Sequence, residues 1–202
     1  MQASALVEKG KEFYRADQDN EAADAFRQAL KIDPGMPEAH FRLGLALEAL
    51  NKQEEAEAEF KIAVESYKKY ITENPKDAEA YYDLGQTYAG LHIYTEAVRE
   101  YRQATKLKTD DPDIYYDLGM ALTRLAQYDE ASVAFSKALE IDPENYRAQD
   151  ALEEAREGSK RIAAGRKHQE ELFKKAQEDE LKKSGDVASE STPPKTAPTR
   201  KP

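Results

Sequence analysis

Three histidines, His40, His92 and His168, carry the side chains best suited to move a proton near neutral pH, and they stand far apart in the chain. No His-Glu-x-x-His spacing sets two of them on one helix face for a metal. Cysteine is absent, so there is neither a thiolate nucleophile nor a disulfide framework. The nine glycines are scattered, and no GxxxxGK[ST] or GxGxxG run can cradle a phosphate. Asp110-Asp111-Pro112-Asp113 gathers carboxylates without EF-hand spacing or its glycine turn, and reads as a solvated helix cap. No catalytic residue, cofactor or metal ligand is assigned, and an enzyme is not expected. What remains is recognition chemistry. The word YYDLG stands at Tyr81–Gly85 and again at Tyr115–Gly119, 34 residues apart. Each copy sets a tyrosine beside an aspartate, Tyr82-Asp83 and Tyr116-Asp117. A tyrosine offers a rigid amphipathic surface at low entropic cost, and the carboxylate beside it selects cations.

These pairs belong to a repeat. Gly10, Gly44, Gly85 and Gly119 are separated by 34, 41 and 34 residues, and other landmarks keep the same gaps. Alanines recur at Ala22, Ala56, Ala97 and Ala131, aromatics at Phe26, Phe60, Tyr101 and Phe135, and alanines again at Ala29, Ala63, Ala104 and Ala138. Within the last copy, Tyr115, Leu118, Leu122 and Leu125 form one stripe at helical spacing. A polar turn at Gln127–Asp129 precedes a second stripe, Ala131, Ala134, Phe135, Ala138 and Leu139, which ends at Asp142-Pro143. The unit therefore reads as two helices. Its glycine costs about 1 kcal/mol against alanine in mid-helix, and its expected use is close packing against Ala22, Ala56, Ala97 and Ala131. The aromatics are expected to fill the space between units.

The pattern resembles the tetratricopeptide repeat, a helix–turn–helix of 34 residues with small residues at the crossing. The resemblance covers about 3–145, with units at 3–36, 37–77, 78–111 and 112–145. The family's favoured Trp is Leu6, His40, Tyr81 and Tyr115 here, so His40 reads as a packed histidine rather than a ligand. The closing proline is kept at Pro34 and Pro143, while Lys68 and Thr109 stand at the other two places. The implied fold is all-α, a right-handed α-solenoid of four repeats. The second unit carries seven extra residues before Pro75. Seven residues are about two turns with little phase drift, so its second helix is expected to lengthen, with Val64, Tyr67, Tyr70 and Ile71 continuing the apolar stripe. Packing on the neighbouring unit and use as a contact surface are both open readings of that extension.

A capping helix is expected from Tyr146, with Gln149, Leu152 and Ala155 covering the last repeat, and a charged helix to about 183. It reads as solvated, or as a coiled-coil or docking helix. Residues 184–202, rich in Pro, Ser and Thr, are expected to be disordered, and residues 1–2 form a short N-terminal end. The chain carries a net charge of −10, and residues 1–145 alone carry 17 Lys/Arg against 29 Asp/Glu, a net −12. Such a field favours basic partners and excludes nucleic acid as a target. No apolar run reaches the roughly 20 residues of a spanning helix. The N-terminus lacks a signal's apolar core. The expected location is the cytoplasm, or the periplasm or exterior if a signal segment has been removed.

In the family, the first helices line a concave groove that holds a peptide or helix. The resemblance places Val7, Lys11 and Tyr14; Phe41, Arg42, Leu45 and Glu48; Glu79, Tyr82, Asp83 and Gln86; and Asp113, Tyr116, Asp117 and Met120 on that face. Val7, Phe41, Tyr82 and Tyr116 would form a ladder, one rung per unit, or else pack against adjacent helices. A subset of the family clamps the terminal carboxylate of heat-shock chaperones. At the matching places Val7, Lys11, Arg42, Glu79 and Asp83, only Lys11 and Arg42 have a usable donor, so no such clamp is expected. The implied function is a non-catalytic scaffold or adaptor for a basic segment with an apolar or aromatic anchor, acting as a monomer or weak homodimer. The alternative is a structural or self-assembling subunit that makes contact through the long second helix or the C-terminal helix.

Overall fold

The structure, a computed structural model, describes residues 2–189, with side chains for 2–181. Among the described residues there are nine helices and no strand: α1 (Gln2–Arg15), α2 (Asp19–Ile32), α3 (Pro37–Ala49), α4 (Gln53–Glu73), α5 (Ala78–Gly90), α6 (Tyr94–Leu107), α7 (Pro112–Arg124), α8 (Tyr128–Ile141) and α9 (Tyr146–Ser189). Residues up to Gly158 form one compact unit and those from Ser159 another. In the first unit the helices pair as the repeat predicts, α1 with α2 through α7 with α8, and each second helix packs on the next first helix. The result is an α-solenoid of four helix pairs.

Every pair is joined by the same turn. Asp17, Asn51, His92 and Ala126 adopt left-handed backbone, with φ of 55°, 58°, 59° and 56°. The amide that follows each donates to the carbonyl five residues back, Gln18 to Phe13, Lys52 to Leu47, Ile93 to Tyr88 and Gln127 to Leu122, all at 2.9 Å. This Schellman closure satisfies carbonyls that the helix end would leave open. None of the four left-handed residues is glycine, the usual occupant, so residue type alone does not mark the turn. The last turn accordingly centres on Ala126-Gln127 rather than Gln127–Asp129, and α8 already begins at Tyr128.

The helices of a pair cross with an aromatic ring seated on a glycine. A Cβ added at Gly10, Gly44, Gly85 or Gly119 would lie 2.5, 2.5, 2.6 or 2.5 Å from the ring of Phe26, Phe60, Tyr101 or Phe135. The glycines therefore make room for the aromatics of their own unit, not for Ala22, Ala56, Ala97 and Ala131. Those four alanines, and Ala29, Ala63, Ala104 and Ala138, are also buried. Phe60 also reaches the next unit, 3.0 Å from a Cβ position on Gly90. Burying each such ring contributes about 2–3 kcal/mol.

Two ends of the reading are refined by the structure. Helix α4 has 21 residues where α2, α6 and α8 have 14. The insertion is thus helical, with Val64 and Tyr67 buried and Tyr70 exposed. At the start of α9 the covering face is Ala148, Leu152 and Ala155, all buried. Tyr146, 76% exposed, and Gln149 point away from it. Gly158 meets the Tyr128 ring, where an added Cβ would come within 2.6 Å. In the second unit, side chains from Lys160 to Leu181 are exposed. The helix runs through Ser189, past the boundary expected at 184, and residues 190–202 lie outside those described.

Candidate protein-recognition site

The backbones of α1, α3, α5 and α7 approach one another in sequence, while those of α2, α4, α6 and α8 stand apart. Ion pairs Arg27–Glu55 and Arg102–Glu130 span the wider spacing. A stack with one row closer than the other curves toward it, so the odd-numbered helices line the concave side.

The ladder is shorter than expected. Val7 and Phe41 are each 1% exposed and present no surface to a partner. The cause is their place three residues before the glycine, over the helix crossing. There Phe41, Tyr82 and Tyr116 meet Phe60, Tyr101 and Phe135, with ring centroids 6.2, 5.9 and 5.8 Å apart. Tyr82 and Tyr116 are long enough to remain half-buried at the surface. The Arg147 guanidinium lies 4.6 Å over the Tyr116 ring, a cation–π contact from α9 that the groove register did not include.

The charged neighbours are engaged inside the chain. Tyr82 Oη donates to Asp117 Oδ2 at 2.8 Å, and Gln86 Nε2 donates to the same oxygen at 3.1 Å and to the Tyr82 hydroxyl at 2.9 Å. Burial and the Asp117 carboxylate push the Tyr82 phenol upward, so it stays a donor. Asp83, 8% exposed, accepts from Tyr67 Oη at 2.8 Å and is not an open carboxylate beside a rung. Lys11 pairs with Glu8 at 2.8 Å and Glu38 at 3.0 Å. Arg42 lies over the Phe41 ring at 5.2 Å, with Glu38 3.8 Å away. Glu79 and Asp113 are exposed on the first turns of α5 and α7, whose caps are Asp77 and Asp111.

Between α3, α5 and α7 lies a hollow of about 370 Å³. Its apolar walls are Leu45, Ala89 and Met120, with Glu48, Gln86 and Arg124 among the polar ones. The hollow brings Leu45, Gln86 and Met120 together with Ala89 and Arg124, which the sequence register did not include. They sit one turn further along the same helix face, where small or charged side chains give no apolar signal.

His40 is a structural residue. Its Nδ1 lies 2.6 Å from Glu59 Oε2 and its Nε2 3.0 Å from the Pro34 carbonyl. Burial alone would lower its pKa, but these two hydrogen bonds outweigh it and raise the pKa. Among the described residues no three His, Asp or Glu are gathered as a metal site, and no helix is long and apolar enough to cross a membrane.

A curved stack of helix pairs with a groove on its inner row is the architecture of a repeat-type interaction module. Family models described as tetratricopeptide repeats match residues 7–70, 66–99, 94–126 and 112–145. The chain belongs to the tetratricopeptide repeat family. Two solved structures of MamA are similar to it. One is 29% identical with a TM-score of 0.54, over 87% of this chain and 96% of that one. The other is 27% identical with a TM-score of 0.56, over 96% and 98%. PilF of Pseudomonas aeruginosa shares the fold, at 18% identity and a TM-score of 0.61, over 82% of this chain and 72% of that one. No curated protein matches in sequence.

Proposed function

We propose that the chain is a non-catalytic adaptor whose concave face holds a segment of a partner protein. The observation that carries this reading is the hollow between α3, α5 and α7. Its partly buried Leu45 and Met120 line an apolar seat at the edge of the core. An apolar hollow with a polar rim is the common form of a binding groove, and it suits one aliphatic or aromatic anchor. The net charge of −12 on residues 1–145 favours a segment that is otherwise basic. Tyr82 and Tyr116 are half-buried and do not line this hollow.

The test is the double variant Leu45→Glu with Met120→Glu. Both side chains are partly buried at the edge of the core, so circular dichroism must first show that the variant keeps its helices, and a folded variant is the one compared. Affinity capture with wild type and variant, compared by mass spectrometry, should show one or more proteins lost on the variant alone. An identical set on both would remove the groove from the mechanism.

A further inference from the structure

The second repeat departs from the others by seven residues, and those residues build a cavity. Tyr67 and Tyr70 both lie in the added turns of α4. They wall a hollow of about 460 Å³ whose other sides include Glu38 on α3 and Asp77, Glu79 and Asp83 at the start of α5. No lysine or arginine lines it. Asp83 is the most buried of these carboxylates, and the hydrogen bond from Tyr67 occupies only its Oδ2.

The repeat explains why Asp83 is under-satisfied. Asp117 holds the same register in α7 and accepts from Tyr82 and Gln86 of α5. The corresponding residues of α3 are Phe41 and Leu45, whose side chains have nothing to donate. The added turns of α4 supply one donor, Tyr67, in their place, while the Thr87 hydroxyl donates to the Asp83 backbone carbonyl rather than to its carboxylate. A buried carboxylate without full pairing either neutralises or finds a cation. Burial pushes the Asp83 carboxyl up to about 6. The Tyr67 hydroxyl from α4 and Arg42 from α3 oppose that rise, and Glu38 from α3 and Glu79 from α5 add to it. Asp77 is held in place in the wall: it caps α5 through Oδ1 and accepts from Tyr70 Oη at 3.0 Å through Oδ2.

We propose that this cavity is a subsite for one cationic side chain, lysine or arginine, of a partner polypeptide, its charge against Asp83 Oδ1 and its aliphatic stem along the Tyr70 ring. Carboxylates with an adjacent aromatic face are the chemistry that grips such a group, and the long stem reaches a buried anion that a bare surface charge would not. The proposal rests on the reading of the chain as a polypeptide-binding array, and it names the partner's chemistry at a second place on that array.

The probe is N-acetyl-arginine methylamide, titrated into the full ¹⁵N-labelled chain at pH 7.5, with N-acetyl-citrulline methylamide as the neutral isostere. The arginine compound should shift the amides of Gly35, Glu79 and Ala80 along saturable curves, and the citrulline compound should not. Asp83→Asn should weaken the arginine compound about tenfold, and the exposed Glu79→Gln severalfold, while Glu21→Gln on α2 leaves it unchanged. Glu79→Gln decides the matter should Asp83→Asn disturb the fold. Shifts shared by the citrulline compound, spread over the acidic surface without saturation, or indifferent to both substitutions overturn the proposal. The Leu45→Glu, Met120→Glu protein should bind the arginine compound like wild type. Unaltered partner capture by that protein would sink the groove and leave this subsite standing on its own titration.

Discussion

Replacing Asp83 by asparagine should make the array more stable at neutral pH and barely change it near pH 4. Asparagine keeps a carbonyl oxygen to accept from Tyr67 Oη and removes the charge. In the unfolded chain an aspartate releases its proton near 3.8, and in the fold Asp83 holds it to about 6, chiefly because it is buried. Between those values the folded state binds more protons than the unfolded one, so Asp83 makes stability fall as pH rises through that window. Two pKa units at about 1.4 kcal/mol each give roughly 3 kcal/mol lost by pH 7. The other titrating groups are common to both proteins and cancel in the difference. Urea unfolding followed by circular dichroism at pH 4 and pH 7.5 reads it directly. With a slope of about 2 kcal/mol per molar urea, the variant's midpoint should lead by roughly 1 M or more at pH 7.5 and coincide with wild type at pH 4. A variant that is less stable at pH 7.5, or a gap that does not change with pH, would show that Asp83 is not a strained buried carboxylate.

Four further substitutions carry expectations. Gly44→Ala should destabilise by about 1–3 kcal/mol, because its Cβ would meet the Phe60 ring at 2.5 Å. Gly165→Ala, with open space around it, should instead strengthen its helix by up to about 1 kcal/mol, read as amide exchange protection; stabilisation at both sites would refute the ring-on-glycine crossing. Ala126→Gly should stabilise by about 1 kcal/mol, since alanine is held at φ 56°, and a lower urea midpoint would count against the Schellman turn. Glu59→Gln should cost about 1–2 kcal/mol below pH 6, where His40 is charged and paired. Because the folded His40 pKa is raised, that loss should shrink as pH climbs through it, and an equal loss at pH 9 would argue against the ion pair.

The helix pairs were legible because their signals are periodic and local. Gly10 to Gly119 and Phe26 to Phe135 recur at fixed gaps, and a seven-residue insertion preserves helical phase. The turns escaped because left-handed backbone was met by Asp17, Asn51, His92 and Ala126, residue types with no common composition. The concave ladder lost Val7 and Phe41 for a geometric reason. A register tells which helix face a residue occupies, not how far its side chain extends beyond the crossing. Val7 and Phe41 stop beneath the surface, while the tyrosines at the same register stay partly exposed. Likewise Asp83 and Asp117 hold the same place in the repeat but accept from different donors of the preceding unit.

That last difference bears on the proposed subsite. In a strictly regular array Asp83 would face Phe41 and Leu45 with no donor at all, a buried charge that a packed core tolerates poorly. Two additional turns on α4 bring Tyr67 to one oxygen and Tyr70 to the neighbouring cap, and hold the wall of the cavity in place. Yet phenylalanine at 67 would pack as well, and asparagine at 83 would relieve the charge. The sequence keeps instead a carboxylate that burial opposes, at the one junction where a long helix shelters it. Strain of that kind, placed beside an open cavity and an acidic rim, is what binding a cation would relieve.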